Sequence, residues 1–222
     1  MGKTLRFIGI LFLSISALFN IAGGAGTTCV AINPTKYEGF EAIANAQWLY
    51  FIFVIGTLAF GIMMVRAVVL LVQGRTNGYR YAMIALVSAT LIGIVHVITS
   101  RSLRGGSMPV DGVVYATVLT LILFLLFRIP GIWEQVDFAK TRQAENDISG
   151  GAAAIITGLL SLTIQYWMAP THTIGQVNYG DAFHLTTSGT GLGLILLGTG
   201  LMAGRVFKAI LAEKAAQDEM NA

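Results

Sequence analysis

Within the stretch THTIGQVNYGDAFHLTTSG, the residues His172, Asp181 and His184 combine two imidazoles with a carboxylate. That set makes the facial triad of a non-haem iron or, with water, a three-ligand zinc site. Their separations, nine residues and then three, match no compact ligand order such as HExxH, so a metal here requires the chain to fold the three together. If it does not, they are solvated loop residues. The remaining histidine, His96, lies near the end of an apolar stretch with Thr99 and Ser100 just beyond it. A b-type haem would need a second axial histidine at matching depth, and no other apolar stretch contains one. His96 therefore reads first as a packing residue facing protein, with haem or metal ligation as the alternative.

A second constellation is SRSLRGGSMPVDG, where Arg101 and Arg104 stand between two long apolar runs. The structural reading is a charge pair tying this loop to another loop of the same side, where Glu38, Glu41, Asp111 and Asp181 are available. The alternative is an anion site: two guanidiniums and the Gly105-Gly106 amides around a lipid headgroup, a carboxylate or a phosphate, with His96 nearby. Nucleophilic catalysis finds no GxSxG elbow. Cys29 is the lone cysteine, which excludes an intramolecular disulfide and a CxxC redox or metal site. The glycines of TSGTGLGLILLGTG lack the strand that a phosphate loop follows and read as close helix packing.

The elements that must carry these residues are membrane helices. Of 222 residues 55% are hydrophobic and 11% charged, against about 25% charged in a soluble domain. Six apolar spans are expected: 5–23, 47–73, 81–99, 112–129, 151–168 and 190–210. Each approximates the ~20 residues needed to cross a hydrocarbon core. Breakers mark the joints: GGAG after the first span, GRTNG between the second and third, Pro130-Gly131 after the fourth, Ala169-Pro170 after the fifth. Trp48, Tyr50, Trp133, Tyr166 and Trp167 fall at span ends, as interfacial rings do.

Lys3, Arg6, Arg75, Arg80, Arg128, Lys140, Arg142, Arg205, Lys208 and Lys214 fall on one side, and Lys36, Arg101 and Arg104 on the other. By the positive-inside rule both termini are cytoplasmic. Arg66, eighteen residues after Trp48 and so about 27 Å along the helix, reads as a snorkelling arginine near the cytoplasmic interface. Lys3, Arg6 and the apolar run after them also describe a signal peptide, and the expectation is a signal-anchor helix that is retained. Residues 131–150 read as a polar cytoplasmic connector whose Trp133, Val136 and Ala139 begin a short interfacial helix.

All eleven acidic residues fall outside the six spans, which lowers proton- and cation-coupled transport. Small-residue pairs, Gly200 with Gly204, Ala154 with Gly158 and Ala89 with Gly93, mark faces for helix contact. The bulky fourth span is expected to face lipid or a partner. The expected fold is thus an all-α, polytopic helical bundle forming one domain over 1–222, in the plasma membrane. Its expected role is a non-catalytic accessory or scaffold subunit that meets the bilayer and other membrane subunits, or copies of itself, and no nucleic acid. No cofactor is expected. One alternative is a binding or transport protein built on Arg101, Arg104 and span residues such as Asn20, Thr57, His96 and Gln165. The other is a metal or cofactor protein using His172, Asp181 and His184.

Overall fold

The computed structural model describes residues 2–139, 143–174 and 176–220. Its elements are α1 (Gly2–Ile32), α2 (Gln47–Val72), α3 (Gly78–Arg104), α4 (Val110–Leu126), α5 (Trp133–Val136), α6 (Gln143–His172) and α7 (His184–Met220). A two-residue antiparallel ladder, Thr173–Ile174 on Val177–Asn178, lies between α6 and α7. Five helices are long and apolar enough to cross a membrane, and there are six if α4 is counted with the segment bent 107° from it. This is an all-α bundle of the kind expected for a multi-pass membrane protein. Large apolar side chains such as Ile55, Leu91, Ile98, Leu119 and Leu196 stand on its surface, the side-chain distribution that lipid favours and water does not. Lys140 and Arg142 of the charge count lie outside the described residues.

Helix α1 is the axis of the bundle, packed against α2, α4 and α6. Its buried residues, among them Ile10, Leu13, Ala17, Asn20 and Gly24, recur every three or four positions and so form one stripe. Its length departs from the sequence expectation, because the helix runs through GGAG to Ile32. Gly24 there is a contact point: a Cβ on it would lie 2.8 Å from the Leu58 side chain. Thr27 and Thr28 donate to the carbonyls of Gly23 and Gly24 and keep their hydroxyls satisfied within the helix. Tertiary packing here outweighs the ~1 kcal/mol that glycine costs a helix. The Gln47 side-chain amide then donates to the carbonyls of Ala31 and Ile32 at the helix end. Helix α6 likewise continues past Pro170 to His172.

Two further faces are more specific than the sequence alone indicates. Helix α4 is amphipathic by position: Asp111, Val114, Thr117, Thr120 and Phe124 are buried against α1 and α3, while Tyr115, Leu119 and Ile122 are exposed. Cβ atoms added at Gly200 and Gly204 would meet nothing within 4 Å among the described residues. Helix α7 instead rests on α6 through Gly191 and Gly198, whose added Cβ atoms would lie 2.8 Å from Gly158 O and 2.5 Å from Gly151 O. At the end carrying the termini, Val136 and Phe138 of the connector are buried in the core, and the Arg6 guanidinium donates to Gln135 O at 3.0 Å.

Candidate functional site

The end of the bundle opposite the termini holds most of the sequence candidates. Helix α3 ends there because Gly105 adopts the left-handed conformation at φ 72°, and its amide caps the Arg101 carbonyl. That cap uses one of the two amides assigned to anion binding. Helix α4 restarts with Asp111 in its first turn, where the helix dipole favours a carboxylate.

Arg101 and Asp111 meet across this turn at 2.6 Å. The ion pair closes the α3–α4 connection on itself, which replaces the expected tie to another loop. Ser107 completes it: its hydroxyl donates to Asp111 Oδ2 at 2.6 Å and accepts from Arg101 Nε at 2.9 Å. Asp111 is buried with both oxygens engaged, whereas 56% of the Arg101 side chain is accessible.

Arg104 is turned elsewhere. Its guanidinium lies 4.2 Å from the centre of the Phe40 ring and donates to Met108 O at 2.8 Å. Arg101 and Arg104 therefore do not form a two-arginine clamp. One turn and two turns below Arg104 on α3 are Ser100 and His96, both buried. The hydroxyls of Ser100 and Tyr50 share a 2.7 Å hydrogen bond. The His96 ring stacks on Phe53 at 4.4 Å and meets Tyr50 edge-on at 5.2 Å, which places it in an aromatic box between α2 and α3. Packing explains that histidine, and Tyr50 and Phe53 were not legible as its partners because they lie more than forty residues away in the chain.

His172, Asp181 and His184 are not brought together in a metal-holding group: no set of three His, Cys, Asp or Glu of that kind occurs among the described residues. His172 lies against α1 beside Gly26 and bonds through Nδ1 to Met168 O at 3.1 Å. Burial lowers its pKa from the ordinary histidine value, opposed by that backbone hydrogen bond. Asp181 and His184 are exposed on the turn leading into α7.

The polar span residues are similarly dispersed. Asn20 Nδ2 donates to Ser16 O at 2.8 Å and to Thr117 Oγ1 at 2.9 Å, and Ser16 shares a 2.7 Å bond with Thr120. These four buried residues form a seam joining α1 to α4. Thr57 is half-buried on α2, and Gln165 lies on α6 with Oε1 buried and without a hydrogen-bond partner among the described residues. Arg66, exposed on α2, lies 4.9 Å from the centre of the Tyr81 ring. Arg128 lies over Tyr79 and Trp133 at 5.4 and 4.8 Å, at the end of the bundle carrying the termini. No family model, curated protein or solved structure matches this chain.

Proposed function

We propose that this chain is a non-catalytic scaffold subunit of a larger membrane assembly, with both termini in the cytoplasm, and that it meets its neighbour subunit through α7. The observation carrying this reading is the placement of that helix. In its most apolar stretch 6% of α7 is buried, against 28% to 44% for α1, α2, α3 and α6. Helix α7 packs on α6 and reaches no other membrane-length helix to a comparable extent among the described residues. The opposite face carries Leu196 and Phe207, both more than 60% exposed, beside Gly193 and Gly200. Small residues there allow a second helix to approach closely, which is how helices associate where lipid removes the hydrophobic drive. The seam of Ser16, Asn20, Thr117 and Thr120 supports the same reading, since its polar groups are used in joining helices.

The test is photo-crosslinking in native membranes from a reactive amino acid at Leu196 or Phe207, with Leu119 on α4, also exposed, as the control. The reading expects a discrete protein adduct from the α7 positions and none from Leu119. Lipid adducts alone from all three positions would reject it. An adduct at twice the chain's own mass would make the assembly a homo-oligomer.

A further inference from the structure

The α3–α4 surface at the Arg101 end contains a feature that the scaffold reading does not use. A groove of about 200 Å³ is lined by Ile94, Val97, Ile98, Arg101, Asp111, Val114 and Tyr115. At roughly 30 Å³ for a water-sized group, it has room for a string of about seven such groups. We propose that it holds one phospholipid of the adjoining leaflet, with the phosphate on the Arg101 guanidinium and the upper part of an acyl chain against Ile94, Val97, Ile98 and Val114.

The vertical order of the groove fits an amphiphile. Ile98 and Ile94 lie three and seven residues below Arg101 on α3, about 4.5 and about 10 Å along the axis. A cation therefore stands at the mouth with apolar walls beneath it. Tyr115, 65% exposed, brings a hydroxyl to the same level beside the guanidinium, the depth at which tyrosine meets headgroups.

Charge complementarity decides the headgroup. Although Arg101 is ion-paired, the two partners are not equally presented. Asp111 is 7% accessible and engages both carboxylate oxygens with Arg101 and Ser107, while Arg101 is 56% accessible. The group presented at the groove mouth is thus the guanidinium rather than the carboxylate. Ser107 and Asp111 also fix the guanidinium plane through Nε and Nη2, leaving a pre-oriented edge for phosphate oxygens. The acyl chain alone supplies little preference, because contact with protein replaces contact with other lipid tails. Selectivity then rests on the phosphate, and the apolar walls favour a lipid over a free anion.

The test is native mass spectrometry of the full chain extracted from bilayers of phosphatidylcholine and phosphatidylglycerol, with diacylglycerol of the same chains added as a phosphate-free competitor. One phospholipid per chain is expected to survive extraction, and diacylglycerol is not. Arg101→Gln is expected to reduce retention about tenfold, the scale of one hydrogen bond to a charged group. Val97→Trp, which fills the groove and leaves the Arg101–Asp111 pair in place, is expected to do the same and decides the matter if Arg101→Gln fails to fold. Unchanged retention in Val97→Trp, equal retention of diacylglycerol, or displacement of the lipid by inorganic phosphate would each overturn the proposal.

Discussion

Replacing Gly158 by leucine should detach α7 from α6, and the size of the effect follows from the contact. A Cβ at Gly158 would sit 2.7 Å from Gly191 O and 2.9 Å from Ile195 Cγ1, where ordinary contact begins at 3.4 Å. A methyl group alone asks for about 0.7 Å of separation, and a carbonyl in a helix cannot rotate away as a side-chain tip can. Leucine adds three more carbons to that collision, so the expected loss is about 1–3 kcal/mol, the usual range for overpacking. In the single chain, freed of any partner subunit, Gly200→Leu is the matched control, since Gly200 meets nothing within 4 Å among the described residues. Both changes gain the same helix propensity, so their difference isolates the interface, and Gly200→Leu should be neutral to within about 0.5 kcal/mol or slightly stabilising. SDS titration of the purified protein in mild micelles, followed by tryptophan fluorescence, measures both. Equal stability changes for the two variants would refute the assignment of Gly158 to the helix contact.

The α1–α4 seam makes a second prediction: Asn20→Leu should cost about 0.6–1.7 kcal/mol, the range for interhelical hydrogen bonds in membranes. Thr117 keeps its own bond to Val113 O, so no orphan donor is added. Adding Thr117→Val to Asn20→Leu should cost little further, and fully additive losses would show that the two side chains do not act on each other. A third prediction concerns pH. His172 titrates below its ordinary value because burial disfavours the imidazolium, so the unfolded state takes up protons first as pH falls through about 6.5 and stability declines there. The melting temperature should drop between about pH 7 and about pH 5 in the wild type and drop less in His172→Gln; identical pH profiles would contradict this.

What could be read from the sequence was whatever depends on composition and local length. The α2 span was placed within a residue of Gln47–Val72 by its apolar run and the GRTNG turn. Helix ends were misplaced where partners outweigh propensity, as at Gly24 against Leu58. The glycines that hold α7 to α6, Gly191 and Gly198, are seven apart and match Gly151 and Gly158, also seven apart. A search for GxxxG finds Gly200 and Gly204 on the other face of the helix instead.

At the candidate site the residue types were visible but their arrangement was not. Arg101 and Asp111 are both visible as charged residues of the α3–α4 connection, yet only a turn returning α4 beside α3 brings them to 2.6 Å and turns Arg104 toward Phe40. Ser107 lies four residues before Asp111, in the turn ahead of α4, and that closeness in the chain is the one local signal. For His172, Asp181 and His184, sequence proximity suggested a shared site. The chain sends His172 against α1 and leaves His184 exposed at the start of α7.

The scaffold account is tested most directly by the mass of the particle released from native membranes in a gentle detergent. One chain has a mass of 23.7 kDa. The account predicts a larger particle, with another membrane protein or further copies of this chain in fixed stoichiometry, lost when bulky substitutions are placed at Gly193 and Gly200. A single 23.7 kDa chain with lipid alone would contradict it.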